Sequence, residues 1–295
     1  DGVSTDTDIS ATFNGTVSIG GSYYTTIQAA LNAALANDVI LVEAGTYLEN
    51  LVWPNTTGII LLSSSTSLDT QIDGSGTGAV ITINQAVSAS VTNLTIQNGS
   101  NGDSDTGGGG IHVGNAVTFF GLTDVYVSGN TTTGKGGGVY IANTAGNWIE
   151  NSTFISNTAD MGGAIAASGN LNMVSDLFYL NMAGTQGGAV YVYGPNITNT
   201  DNPATMSYGI VSENYTAGSG AGIYSLSPIA LNNTWIEFNV ITANGSGAGL
   251  YASGNFTLTD VTFDANIATG SVVNSGSGGG LFVEGYGGDT AGKLT

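Results

Sequence analysis

The stretch GKGGGVYIANTAGNWIENSTFISNTADMGGAIAA, residues 134–167, decides how the chain folds. It carries one word twice, Gly-Gly-small-aliphatic, at Gly136-Gly137-Gly138-Val139 and at Gly162-Gly163-Ala164-Ile165. Between the copies stands a second word, a bulky apolar residue followed three places later by Asn, here Phe154 and Asn157. Working outward, the first word recurs with its aliphatic anchor at Ile111, Val139, Ile165, Val190, Ile223, Leu250 and Leu281, in steps of 28, 26, 25, 33, 27 and 31 residues. The second recurs at Val127/Asn130, Phe154/Asn157, Phe178/Asn181, Val211/Asn214, Ile236/Asn239 and Phe263/Asn266. A period of this length indicates a solenoid whose units cannot bury a core alone. The runs between the words are short and rich in Thr, Val, Ile and Tyr, punctuated by Gly and Asn, which is the composition of strands. Such strands find partners one coil away, in parallel ladders about 4.8 Å apart.

Strand side chains alternate, so each anchor shares a face with the residue two places on, and that face is assigned to the interior. The residue between points outward, giving a column His112, Tyr140, Ala166, Tyr191, Tyr224, Tyr251 and Phe282. Tyr140, Tyr191, Tyr224, Tyr251 and Phe282 are read either as a self-stacking ladder that stiffens the solenoid or as a stripe for sugars or a partner. Asn130, Asn157, Asn181, Asn214, Asn239 and Asn266 are read as a structural amide ladder, hydrogen-bonded from coil to coil.

Upstream, Ile27, Ala30, Leu31, Ala34 and Leu35 mark one stripe of an amphipathic helix, with Thr25 or Thr26 as N-cap and Asn37-Asp38 as its end. Before it, Ile9, Ala11, Phe13, Gly15, Val17 and Ile19 alternate with polar residues as a strand does. The chain thus divides into an N-terminal strand segment, 1–24, and a β-helix, 25–295, made of a helix at 25–38, early coils at 39–100 and repeat coils at 101–295. Ile9, Phe13, Val17 and Ile19 at one end, and Leu281 and Val283 at the other, are the expected assembly positions.

Composition narrows the partners. The 295 residues include 47 Gly, 4 Pro and no Cys, and two Lys without Arg set against 21 Asp plus Glu give a net charge of −19. That balance argues against nucleic acid and anionic bilayers. No apolar run is long enough to span a membrane. The first residue is Asp1, which reads as an exported chain whose signal has been removed.

The run from Tyr24 through TIQAALNAALANDVILVEAGTYLENLVW to Ile83 resembles the cap and first coils of pectate-lyase-like, right-handed parallel β-helix proteins. The two downstream words resemble the Gly-Gly-Ala-Ile and Phe-x-x-Asn repeats of polymorphic outer-membrane proteins. The resemblance implies an all-β, right-handed parallel β-helix of roughly ten coils with a short N-terminal amphipathic helix. For enzymes of that fold it also implies a basic residue, commonly Arg, with acidic residues on Ca²⁺ in lyases, an Arg in esterases, and several Asp with a His and an Arg-Ile-Lys stretch in polygalacturonases. This chain has no Arg, one His at position 112, and only Asn199-Thr200-Asp201 to match a piece of the last set. Lys135 and Lys293 stand in Gly-rich stretches with no acidic cluster beside them in sequence. Asp124, Asp176, Asp260 and Asp264 lie near strands, where convergence from different coils would be needed for glycoside hydrolysis.

Asn101, Asp103 and Asp105 alternate like the start of a weak Ca²⁺ loop but lack the Gly and Glu that would complete it; otherwise no cofactor is expected. The sequons at Asn14, Asn55, Asn98, Asn151, Asn196, Asn232, Asn244 and Asn255 are candidate glycosylation sites. The sequence therefore reads as a non-enzymatic, extracellular or cell-surface β-helix with no catalytic residues and a structural role, self-associating head to tail into a filament, or an adhesive role. The alternative is a carbohydrate-active lyase or hydrolase, or a glycan-binding module, on the same fold.

Overall fold

A computed structural model describes residues 15–103, 107–194, 203–269 and 278–284. The chain winds as a parallel β-solenoid. Each full coil visits four sheets, as in Asn147–Glu150 of sheet A, Thr153–Ile155 of sheet B, Thr158–Met161 of the short-stranded sheet D and Ile165–Ala167 of sheet C, and sheets A, B and C each hold nine parallel strands. Nine strands make about eight turns, fewer than the ten expected. The difference lies before the repeats, where sheet C has only Leu51–Val52 and Ile81–Ile83 ahead of the strand at Ile111–Val113, so residues 39–100 hold two coils. In sheet C the register is unbroken across the repeats: Ile111 pairs with Val139, Val139 with Ile165, Ile165 with Val190 and so on to Leu281.

The N-terminal end is closed by elements of different kinds. Strand β1 (Val17–Ile19) lies antiparallel on β3 (Val39–Val42), and β2 (Ser22–Tyr24) folds back on β1. Val17 and Ile19, expected as assembly positions, are thus paired inside the chain with Val42 and Ile40. Ile9 and Phe13 lie outside the described residues. Helix α1 (Ile27–Ala33) buries Ile27, Ala30 and Leu31, with Thr26 Oγ1 accepting from the Ala29 N–H. It stops short of the expected residue 38. Ala34 is extended, the Asp38 carboxylate accepts the Leu35 N–H at 2.7 Å, and Asn37 turns into the left-handed region, so a local turn displaces the next helical turn and leaves Leu35 exposed. The Glu49 carboxylate takes the Ile27 and Gln28 N–H groups, both at 2.9 Å, at the positive end of the helix. Gln28 in turn accepts from the Val52 N–H at 2.7 Å and donates to its carbonyl at 3.0 Å, pairing the outermost strand of sheet C as a peptide group would.

Each repeat coil turns at four corners, and the three from sheet A to B, B to D and D to C each use one residue of positive φ. In one coil these are Asn151, Ser156 and Gly162, with φ of 50°, 54° and 67°. The Gly-Gly word occupies the third corner. A Cβ on Gly162 would stand 2.2 Å from the Ile165 carbonyl oxygen, and one on Gly163 would stand 2.2 Å from the Gly188 carbonyl oxygen of the next coil. The first glycine therefore serves the turn and the second serves coil-to-coil approach.

Inside the tube the anchors and their partners two residues on form one continuous apolar core with the helix residues at its end. The Phe154 and Phe178 rings stack there at 5.0 Å, nearly parallel. Among the described residues no helix is long and apolar enough to cross a membrane.

Candidate functional site

The asparagines stand at the corner between sheets B and D, pointing inward. From Asn157 on, each amide oxygen accepts two bonds from the coil before it: Asn181 Oδ1 takes the Asn157 backbone N–H and its Nδ2, both at 3.0 Å, while Asn157 Nδ2 also donates to the Val127 carbonyl at 2.9 Å. The same arrangement joins Asn130 to Asn157, Asn181 to Asn214, Asn214 to Asn239 and Asn239 to Asn266. No side-chain capacity remains for a ligand in the fully buried members.

The Tyr140, Tyr191, Tyr224 and Tyr251 side chains lie outside the tube, in a cluster separate from the main core, yet they are only 6–8% exposed. Their faces are turned to one another: Tyr224 and Tyr251 stack at 4.4 Å with planes 6° apart, Tyr251 and Phe282 at 5.2 Å, and Tyr191 and Tyr224 at 5.7 Å. His112 opens the column beside Tyr140, at 5.4 Å, and hydrogen-bonds the Gly107 carbonyl through Nδ1. Tyr193 stacks on Tyr191, and Lys135 Nζ sits 5.9 Å above the Tyr193 ring. Burial and the neighbouring Glu284 carboxylate, which accepts the Tyr251 hydroxyl at 2.5 Å, hold the Tyr251 phenol well above its ordinary range. Sequence reasoning pointed these rings outward, but it could not show that their faces are covered; no ring face in the tyrosine stack is open to a sugar.

Open ring faces occur elsewhere. On the outer face of sheet A, Trp148 is 37% exposed and its indole N–H donates to Glu150 Oε2 at 3.1 Å. Below it in register is Gly121, over which the Phe119 ring lies, and above it is Asn172, whose Oδ1 accepts the Thr205 hydroxyl. Aromatic ring, carboxylate, amide and hydroxyl thus share one half-exposed shelf. Sequence alternation places Trp148 outward, but nothing repeats there to single it out.

The remaining candidates scatter. Asn101 Oδ1 accepts the Asp103 N–H and its Nδ2 donates to the Gly107 carbonyl, so that side chain is engaged in its own turn. Asp105 lies outside the described residues, among which no group of three His, Cys, Asp or Glu side chains is gathered for a metal. Asn55, Asn98, Asn151 and Asn244 are exposed, Asn232 and Asn255 are half-buried, and Asn14 and Asn196 lie outside the described residues. Leu281 and Val283 are half-buried in the last described strand of sheet C.

Among the described residues Asp176 is the one carboxylate that the fold withdraws from water. It occupies the corner between sheets A and B, where Oδ1 accepts the Ser152 N–H at 2.8 Å and Oδ2 has no partner. Burial pushes its pKa up to about 7.

The family model of the Chlamydia polymorphic membrane protein repeat matches residues 124–142, one copy of the Val127/Asn130 and Gly-Gly words. No curated protein sequence matches the chain. Among solved structures it is similar to a pectin methylesterase from carrot, with 12% identity and a TM-score of 0.46 over 90% of this chain and 86% of that one. It is also similar to a pectin methylesterase from Yersinia enterocolitica, with 12% identity and a TM-score of 0.41 over 88% of this chain and 94% of that one. At such identity the likeness is one of fold. Both are pectin methylesterases, and neither supports the expected structural, filament-forming or adhesive role, which is corrected to that extent; at this identity they assign the chain no role of their own.

Proposed function

We propose that the chain is a glycan-binding β-helix, secreted or displayed at a cell surface, that holds neutral saccharide on the outer face of sheet A without cleaving it. The observation that carries this reading is Trp148, an open indole whose N–H is fixed by Glu150 beside Asn172 and Thr205. Saccharides present apolar C–H faces edged by hydroxyl groups, and a ring flanked by an acceptor carboxylate and an amide complements both. The rest of that face supports it, because Ser90, Thr123, Ser207, Asn232 and Thr257 supply hydroxyls and amides without charge. Against a catalytic role stand the absence of Arg from the sequence and the position of its single His, which is engaged with a backbone carbonyl in the ring column.

Electrophoresis of the native chain through gels loaded with neutral polysaccharides tests the reading. Retardation by at least one of them, lost in Trp148→Ala and reduced in Glu150→Gln, is expected. Equal retardation of wild type and Trp148→Ala would reject the shelf as the binding site.

A further inference from the structure

The outer face of sheet B changes character along the axis. In the column at the head of its strands the mostly polar early positions, Thr46, Gln71 and Thr95 among them, give way to Leu177, Ile210 and Trp235 in register, with Trp235 56% exposed. The patch continues past the next corner onto sheet D, where Met182 and Ile267 are half exposed in the same column. Contiguous exposed apolar surface of this kind marks a contact site.

The corners that border the patch make the same point independently. At the corner from sheet A to sheet B, successive coils place Asp124, Asn151, Ser175, Tyr208, Asn233 and Asp260 in the left-handed region. At the next corner they place Gly129, Ser156, Leu180, Glu213, Phe238 and Ala265 there. Small and amide-bearing residues adopt this conformation at low cost, whereas Tyr208, at φ 58°, and Phe238, at φ 53°, are bulky and do not. Both rings are exposed, so burial does not repay the backbone cost. Tyr208 heads the strand of Ile210 and Phe238 follows the neighbouring strand of Trp235, so two strained aromatic residues border the patch from opposite corners, and no other coil places an aromatic residue at either position.

We propose that this face, centred on Trp235, Ile210, Tyr208 and Phe238, docks a cationic amphipathic segment of another polypeptide. Charge chooses the occupant. Glu213, Glu237 and Asp264 stand among the apolar side chains, and Glu213 lies against the Tyr179 hydroxyl at 3.4 Å, raising that phenol's pKa. Among the described residues the only Lys, Lys135, is committed to the sheet C side. A second copy would set these carboxylates against its own strongly acidic surface, and a neutral glycan would leave them uncompensated. A segment with apolar residues on one side and Lys or Arg on the other satisfies both components.

The test uses the full chain and three synthetic peptides: an amphipathic Leu/Lys peptide, its Leu/Glu counterpart, and oligolysine, titrated calorimetrically at two salt concentrations. The Leu/Lys peptide should bind, more weakly at high salt, and the other two at least tenfold more weakly. Tyr208→Asn with Phe238→Asn should lower that affinity at least tenfold while leaving the thermal midpoint equal or higher, since Asn relieves both corners. Glu213→Gln with Glu237→Gln should remove most of the salt dependence. Unchanged affinity in the Asn variant, or oligolysine binding as well as the Leu/Lys peptide, would overturn the proposal. So would a dimer, seen by light scattering, that the Asn variant dissolves.

Discussion

The asparagine column and the tyrosine column are each built by repeating one residue at one angular position, yet they are held in opposite ways. The asparagines sit inside, and from Asn157 on each oxygen answers two N–H groups of the asparagine before it, so each of these members is required by its neighbour. The tyrosines sit outside and touch through ring faces, so the column tolerates Ala166 in its middle, His112 at its start and Phe282 at its end. Repetition enforced by hydrogen bonds is specific, because an unanswered buried donor is costly, whereas repetition enforced by stacking asks only for area.

Breaking the inner column should therefore cost most. Asn181→Ala removes the acceptor for both the Asn157 N–H and its Nδ2, and a loss of about 4 kcal/mol is expected from urea unfolding. Tyr224→Ala, which removes a ring stacked on both sides, should cost about 2–3 kcal/mol, and Tyr224→Phe less than about 1 kcal/mol. If the alanine variants prove equally damaging, the contrast between the columns fails.

Asp176 sharpens the comparison from a corner where no residue repeats. Its folded pKa of about 7 lies above the ordinary 3.8, so its contribution is full below pH 4 and disappears as pH rises through 7. Thermal or urea unfolding should show stability falling by about 2 kcal/mol from pH 5 to pH 8, and Asp176→Asn should flatten that slope. Smallest of all should be the effect of Trp148→Ala on stability, within about 0.5 kcal/mol, because its ring is open to water; loss of glycan retention without loss of stability separates the shelf from the scaffold.

The same contrast explains what the sequence made legible. Anchors, inner columns and corner glycines recur because every coil needs them, and the strand order followed from their spacing. Trp148 was not legible as a site because its column runs Gly121, Trp148, Asn172, Thr205, with no word to mark it. Trp235 was hidden at the head of a strand whose second residue carried the signal. The end of α1 was missed because Leu35 fits the apolar stripe, while the Asp38 carboxylate that captures its N–H acts locally and leaves no periodic trace.

The asparagine ladder also works as an index mark. Its steps along the chain run 27, 24, 33, 25 and 27 residues, yet every amide lands on the next. The longest step is absorbed between the strands Val190–Val192 and Ala204–Ser207, at the corner from sheet C to sheet A, where the preceding coil passes directly from Ala167 to Leu171. Length is thus free at that corner and at the one from sheet D to sheet C, where Met161 leads to Ile165 in one coil and Ala268 to Leu281 in another, and fixed at both ends of sheet B, so foreign sequence can be inserted on the flanks of sheet C without the winding losing count.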